Sequence, residues 1–347
     1  MSAICKRLLR GVCLLAAALL LCPACARQPQ RFQFTYLDVF DTVTSITVYA
    51  GTRSDAEALA GLLHGELLAC HRLFDVYHEY EGMNNLCTVN RLAGGAPVKV
   101  DGRITALLRF AADMGEAGGG VLNVCMGSVL SLWHEARELA IAEPGRASLP
   151  DEGALRAAQA HISPDALCID EAASAVWLTD PEARLDVGAV AKGWAVQRAC
   201  SLAVEKGYGS FLVSAGGNVV TVGTKPDGSL WRVAVEDPTK DGANLTELAL
   251  RDCAAVTSGS YQRYFTVDGV RYHHIIDPVT GYPAKGYQMV TVICPDSGAA
   301  DALSTSLFLL PVAEGKALAE RFGAEALWMW EDGHIETTAG FPEPAQN

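Results

Sequence analysis

The sequence predicts a single compact α+β domain over residues 27–347, in which mixed sheets are flanked by helices. Alternating and β-branched runs such as residues 42–50 are typical of strands. Longer segments with helical apolar spacing, such as residues 56–73 and 104–116, lie between the strands. No repeat, charge run or low-complexity linker interrupts this order, so the pattern offers no domain boundary.

Composition limits the class of protein. Of the 347 residues, 50% are hydrophobic and 19% are charged, which suits a packed core and excludes a disordered or collagen-like chain. The formal net charge is −13, from 27 Lys and Arg against 40 Asp and Glu. Such an acidic chain lacks the basic surface that general nucleic-acid binding requires, so we expect no nucleic-acid partner.

Residues 1–26 have the pattern of a secretory signal peptide. Three basic residues precede the apolar run 12–21, which is far shorter than the about 20 residues of a membrane-spanning helix. Two processing routes stay open. Ala24-Cys25 resembles the end of a bacterial lipoprotein signal, in which Cys25 would carry the lipid, and cleavage after Ala26 at an A-x-A site is the alternative. We expect export by either route, and with the lipid a cell-membrane lipoprotein facing the periplasm or cell exterior.

The eleven cysteines give no metal or redox motif. Seven follow the predicted signal, and none of them forms a C-x-x-C pair, so neither a zinc ribbon nor a thioredoxin-like site is predicted. An odd number also cannot pair completely within one chain. We expect most of them to be small buried side chains.

Two glycine-containing turns are candidate binding segments. Residues 186–193 (DVGAVAKG) join a strand end to a helix start, where free N–H groups and the Lys192 ammonium suit an anion. The pair Gly216-Gly217 follows an apolar strand. Neither segment fits the G-x-G-x-x-G or Walker A pattern. Taken alone, each is explained at least as well as a structural turn or bulge.

A pair of histidines ends an extended run and precedes a Pro- and Gly-bearing turn that contains Asp277. Histidine is the side chain best suited to move protons near neutral pH. Because neighbouring strand residues point to opposite faces, only one of the pair can readily face a site. We favour His274 for that position and expect His273 at the surface.

The segment 295–305 predicts a helix that Asp296 or Ser297 caps. On it, Asp301 and Thr305 are one turn apart and share a face. A carboxylate and a hydroxyl at that spacing offer hard oxygen ligands, which suit Mg²⁺ rather than Zn²⁺. A solvated Asp and a Thr bonded back to the helix are the structural alternative.

Together these segments resemble the FAD:protein FMN transferase (ApbE) family over about residues 36–330. Five of them resemble family motifs in the family's order: 186–193 (D-L-G-G-I-A-K-G), 214–218 (G-G-D, with Asn218 for Asp), 257–263 (T-S-G-x-Y-x-R), 274–283 (H-I-I-D-P-x-T-G-x-P) and 301–305 (D-A-L-x-T). Thr42 and residues 74–77 fit its early flavin-site segments, with Asp41 where many members carry Gly. Residues 90–92 fit its L-N segment.

The resemblance implies an ApbE-like, T-fold-like domain that uses FAD and Mg²⁺. Such an enzyme joins FMN through its phosphate to a Thr or Ser hydroxyl of an acceptor protein and releases AMP. The implied metal ligands are Asp301, Thr305 and the Ala189 carbonyl. The implied cofactor-binding residues are Thr42, Tyr77, Asp186, Lys192, Gly216, Gly217, Ser258 and His274. His274 is our candidate base, and Asp277 would orient it or act in its place.

The acceptors implied are subunits of membrane redox complexes and other exported flavoproteins. Two other functions fit the same residues. An exported FAD pyrophosphatase would pass FMN to water and give FMN and AMP. A non-catalytic FAD-binding lipoprotein is the other, favoured by Asn218 and Asp41, the two departures from the family pattern.

Overall fold

The computed structural model describes residues 28–345. The predicted signal peptide, with Cys25, lies outside these residues. Within the described part of the chain, we find no helix that combines the length and the apolar character needed to cross a bilayer.

Fifteen strands and eight α-helices are found over residues 28–345. The strands are β1 Gln30–Val39, β2 Thr42–Ala50, β3 Val98–Lys99, β4 Leu167–Asp170, β5 Ala175–Leu178, β6 Phe211–Ala215, β7 Asn218–Val222, β8 Trp231–Glu236, β9 Asn244–Leu250, β10 Cys253–Gly259, β11 Tyr264–Val267, β12 Val270–His273, β13 Tyr287–Cys294, β14 Glu325–Trp330 and β15 Ile335–Thr337. The helices are α1 Arg53–Phe74, α2 Leu86–Arg91, α3 Gly102–Ala117, α4 Gly127–Ala142, α5 Glu152–Gln159, α6 Ala191–Glu205, α7 Ser297–Leu309 and α8 Val312–Arg321.

An eight-stranded sheet organises the molecule, in the order β1-β2-β6-β7-β10-β13-β14-β15. Each neighbouring pair in it is antiparallel. Three small sheets, β3-β5-β4, β8-β9 and β11-β12, complete the strand set of the described residues. The predicted α+β class is confirmed.

The two faces of the large sheet are covered differently. Helices α1, α6 and α7 pack on one face and form the main core, with Phe211, Phe308 and Trp328 fully buried in it. The hairpin β8–β9 covers part of the other face through a second apolar cluster. Burying side chains of this size contributes about 1.5–3 kcal/mol each, so the layer of α6 and α7 is held firmly over the sheet.

Two sequence-based expectations need correction. The sequence predicts a strand-like hairpin over residues 175–185, but the strand β5 ends at Leu178, because a turn around Pro181 cannot continue the ladder. The Ala-, Glu- and Pro-rich composition of residues 134–165 predicts surface helices and connections. The structure has helices there, but Ala140 and Leu155 are buried in a third apolar cluster. Trp133, just before this range, is 4% exposed in the same cluster, and its indole N–H donates to the Gly281 carbonyl at 2.8 Å.

Candidate active site

The Gly216-Gly217 turn brings two predicted cofactor-binding segments together. It joins β6 to β7, and its φ angles of +50° and +91° are those of a type I′ hairpin turn. A Cβ at residue 216 would lie 2.2 Å from the Thr42 hydroxyl oxygen, so only glycine lets Thr42 pack on this turn.

Asn218 follows the turn and is fully buried, and neither of its side-chain polar atoms has a partner among the described residues. An unpaired buried polar group costs about 1–3 kcal/mol. The position directly behind the Gly-Gly turn therefore suits water or a polar ligand group.

The start of α6 meets the start of α7 around one carboxylate. Asp301 is 4% exposed, and one of its oxygens accepts a hydrogen bond from the Gly193 backbone N–H at 2.8 Å. The other oxygen lies 3.7 Å from Lys192 Nζ. The helices approach so closely that a Cβ at residue 193 would lie 2.3 Å from the Ser297 carbonyl oxygen. Asp296 caps α7 by accepting from Ala299 N–H, as predicted.

This contact frees a carbonyl at the start of α6. Helix geometry would direct the Gly193 N–H to the Ala189 carbonyl, but the N–H donates to Asp301 instead. The next residue resumes the regular pattern, with Trp194 N–H donating to the Val190 carbonyl at 3.0 Å. No described backbone N–H donates to the Ala189 oxygen, which is left available to a ligand.

The oxygen set fits a small hard cation. Ser304 and Ser306 bond back to carbonyls of α7, whereas the Thr305 hydroxyl has no hydrogen-bond partner among residues 28–345. One carboxylate, one hydroxyl and one carbonyl, completed by substrate phosphates, are a donor set typical of Mg²⁺. The described residues contain no cluster of three or more His, Cys, Asp or Glu that would suit a transition metal.

Ser258 supports this junction from the sheet. Its hydroxyl lies 2.7 Å from that of Ser304, which in turn donates to the Asp301 carbonyl at 2.9 Å. Strand β10 is thereby tied to the turn of α7 that carries the carboxylate.

The two neighbouring histidines lie in different environments. His273 is 8% exposed and its Nε2 lies 2.8 Å from the Ala284 carbonyl, so the expectation that it lies at the surface is wrong. Its ring packs edge-on against Phe308 of α7, which holds it inward. His274 is open to solvent.

His274 faces the backbone of Arg263. Its N–H donates to the Arg263 carbonyl at 3.1 Å, and its Nδ1 lies 3.2 Å from the same oxygen. A carbonyl can only accept, so the proton belongs on Nδ1 and Nε2 is left as an acceptor. Although the His274 side chain is exposed, the protein atoms packed around it and the nearby Arg263 charge lower its pKa, so the ring is neutral near pH 7.

Asp277 holds a turn rather than the histidine. One of its oxygens accepts from Val279 N–H at 2.8 Å, and its backbone bonds to Tyr282 and Gly281. Within residues 28–345, no hydrogen bond joins Asp277 to His274.

A cavity of about 230 Å³ lies beside Tyr77 and Asp186. Asn90 fixes the segment before Asp186, since its side chain donates to the Leu185 carbonyl at 2.9 Å and accepts from Leu185 N–H at 2.7 Å. Asp186 itself accepts from Gly188 N–H at 2.8 Å. Burial raises the pKa of the Asp186 carboxyl. Burial, reinforced by the Asp186 charge, likewise raises the pKa of Tyr77.

Helix α4 adds site residues that the sequence motifs do not include. The His134 ring stacks on the Tyr77 ring with centroids 4.3 Å apart and planes at 22°. Arg137 Nη2 lies 3.2 Å from His134 Nδ1. The sequence feature that could have indicated these residues is the spacing of Gly127, Ser131 and His134, which places them on one face of a helix.

The starts of α6 and α7 and the Gly216-Gly217 turn of this α+β protein present a lysine ammonium, oxygen ligands and an open backbone, a set that suits an anionic ligand. The profile of the ApbE family matches residues 40–328. The chain belongs to the ApbE family.

Relatives support this assignment at both the sequence and the structure level. The FAD:protein FMN transferase of Treponema pallidum (strain Nichols) is 36% identical over 273 residues, covering 74% of this chain and 73% of that protein. One from Klebsiella pneumoniae (strain 342) is 32% identical over 282 residues, covering 78% and 85%.

Among solved structures, the ApbE protein of Thermotoga maritima MSB8 superposes with a TM-score of 0.79 at 28% identity, covering 89% of this chain and 97% of that one. A variant of the flavin transferase ApbE from Vibrio cholerae gives a TM-score of 0.76 at 26% identity, covering 90% and 98%.

Proposed function

We propose that this protein transfers FMN from FAD to a Thr or Ser hydroxyl of an exported or membrane-bound acceptor protein, with Mg²⁺ and with release of AMP. Membership of the ApbE family, with relatives of that activity over most of the chain, makes it an FAD:protein FMN transferase. The metal, the type of hydroxyl and the acceptor are the finer parts of the proposal. The observation that supports the metal is the junction of Asp301, Lys192 and the free Ala189 carbonyl at the start of α6. The type of hydroxyl and the acceptor rest on the family resemblance alone.

The junction suits a pyrophosphate. The positive dipole end of α6 and the Lys192 ammonium attract its negative oxygens. Asp301, Thr305 and the Ala189 carbonyl would hold Mg²⁺. When bound there, the ion neutralises charge on the phosphate oxygens. The Gly216-Gly217 turn has no side chains, so the substrate can approach its backbone closely.

His274 acts as the base in this proposal. Its neutral Nε2 takes the proton of the acceptor hydroxyl as the hydroxyl oxygen bonds to the FMN phosphorus. The bond from that phosphorus to the bridging oxygen breaks, and AMP leaves with the bridging oxygen. Its lowered pKa keeps the His274 ring unprotonated near pH 7 in the absence of substrate.

Incubation with FAD, Mg²⁺ and a candidate acceptor, followed by mass spectrometry for the FMN adduct, tests the reaction. A chelator and the variant Asp301→Ala should each abolish transfer, while Asp113→Ala, at an exposed carboxylate on α3, should not. Full transfer with both chelator and Asp301→Ala would refute the metal assignment. FMN and AMP without an adduct would favour the pyrophosphatase, and FAD held unchanged with Mg²⁺ the non-catalytic binder.

The role of His274 is tested separately. His274→Ala should slow FMN transfer and leave FAD binding largely intact, because the proposed role of the ring is to take a proton and not to hold FAD. A variant that binds no FAD would show that His274 has another role.

Export and lipidation of Cys25 belong to the proposal on the strength of the signal pattern in residues 1–26. Metabolic labelling with a radioactive fatty acid should mark the wild type and not Cys25→Ala. Loss of residues 1–26 without labelling would instead indicate cleavage at the A-x-A site.

A further inference from the structure

Helix α4 presents one face to the cavity beside Tyr77. Gly127 and Ser131 line that cavity, and His134 lies one turn further along the same face. The start of α4 is pressed against the chain next to it, since Gly127 N–H donates to the Arg184 carbonyl at 2.9 Å and a Cβ there would lie 2.6 Å from that oxygen. This contact sets the position of the helix relative to the cavity.

The ring of His134 covers one face of Tyr77. The centroids are 4.3 Å apart and the planes differ by 22°, which is a stacked arrangement. Tyr77 is nevertheless 47% exposed. Because His134 occupies one face, the accessible part of the Tyr77 ring is what an aromatic ligand can contact.

Arg137 fixes which nitrogen of the neutral His134 ring carries the proton. Its Nη2 lies 3.2 Å from His134 Nδ1, and a guanidinium can only donate. Nδ1 must therefore accept, which places the proton of the neutral ring on Nε2. Burial and the Arg137 charge both lower the pKa of His134, so the ring stays neutral.

We propose that His134 is a positioning residue for the flavin: held by Arg137, it supports Tyr77 from behind so that the exposed Tyr77 face stacks on the isoalloxazine ring of FAD. This inference rests on the proposed function and on the family resemblance, which implies that Tyr77 is a cofactor-binding residue. It predicts a stack of three rings, His134, Tyr77 and the flavin, whose geometry is set by α4.

Binding of FAD in the absence of acceptor, followed by quenching of flavin fluorescence, tests this stack. His134→Ala should raise the Kd for FAD by about 3- to 10-fold and reduce the quenching at saturation, because an aromatic pair contributes on that scale. His134→Phe keeps a flat ring and should recover most of the affinity and the quenching. Ile141→Ala, at an exposed residue of the same helix, is the control and should match wild type.

Transfer kinetics give a second measurement. The KM for FAD should rise in His134→Ala while kcat at saturating FAD stays within about twofold of wild type, since the reacting atoms are untouched. Unchanged or tighter FAD binding in His134→Ala would overturn the proposal, as would failure of His134→Phe to bind better than His134→Ala. If wild type itself binds no FAD and forms no adduct, the proposed function fails instead.

Discussion

A methyl group at residue 193 tests the junction between α6 and α7. A Cβ there would lie 2.3 Å from the Ser297 carbonyl oxygen and 2.4 Å from Asp301 Cβ. Neither atom can move by a side-chain rotation, so the helices themselves must separate. Reaching 3.0 Å from 2.3 Å requires at least 0.7 Å of displacement. We therefore expect Gly193→Ala to break the 2.8 Å bond from the residue 193 N–H to Asp301.

The size of the effect follows from opposed contributions. Alanine is a better helix former than glycine by about 1 kcal/mol. Overpacking a close contact costs about 1–3 kcal/mol, and losing a hydrogen bond to a charged group costs about 1.5–3 kcal/mol. Since the losses exceed the helix gain, the free energy of unfolding should fall by about 1.5–5 kcal/mol.

Urea unfolding followed by circular dichroism measures this change. Gly61→Ala is the matched control, because Gly61 is an exposed residue within α1 and a Cβ there meets nothing within 4 Å. It should raise the free energy of unfolding by about 1 kcal/mol. Gly193→Ala should also need more Mg²⁺ for half-maximal transfer, as the carboxylate is displaced. If Gly193→Ala is stabilised to the same degree as Gly61→Ala, the close packing inferred for this junction is wrong.

Three other predictions follow from the site and its surroundings. Gly216→Ala should weaken FAD binding at least tenfold and lower the unfolding midpoint, because residue 216 has φ +50° and its Cβ would meet Thr42. Calorimetry with and without FAD measures both effects, and an affinity equal to that of the wild type would contradict the prediction. Because the pKa of His274 is lowered in the folded protein, the unfolded chain binds a proton on this histidine at a higher pH than the folded protein does. The free energy of unfolding should therefore decline as the pH falls from about 6.5 towards 3. His274→Gln should flatten that decline in unfolding curves, and an unchanged slope would count against the assignment. The seven cysteines of residues 28–345 are free thiols, so a reductant should leave the unfolding midpoint unchanged, and a drop would reveal a disulfide.

Local periodicity accounts for the elements that the sequence predicts well. The bounds of β2 match the alternating run 42–50, and α1 extends the apolar spacing of residues 56–73 by a few residues at its ends. Thr52 caps that helix by accepting from Asp55 N–H. These signals depend on neighbours in sequence, which is why they need no knowledge of the fold.

The directions of the side chains in the site depend on tertiary contacts, which the spacing of residues in the sequence does not determine. Alternation shows that His273 and His274 point to opposite sides, but the Ala284 carbonyl and the Phe308 ring decide which one is buried. The stack of Tyr77 on His134 likewise joins a loop after α1 to a face of α4. Helix spacing defines that face, and only tertiary packing directs it towards the cavity beside Tyr77.

The net charge of the chain does not describe the charge near the candidate site. The chain carries 40 acidic against 27 basic residues, which taken alone would repel an anionic dinucleotide. Cations nevertheless lie near the candidate site on three separate elements. Lys192 at the start of α6 lies 3.7 Å from Asp301, Arg263 lies close enough to depress the pKa of His274, and Arg137 of α4 contacts His134. Attraction falls off over about 8–10 Å in physiological salt, so in the proposed complex these nearby charges would act on FAD more strongly than distant ones. Affinity for FAD should therefore respond to each of them far more than to acidic residues on the outer surface.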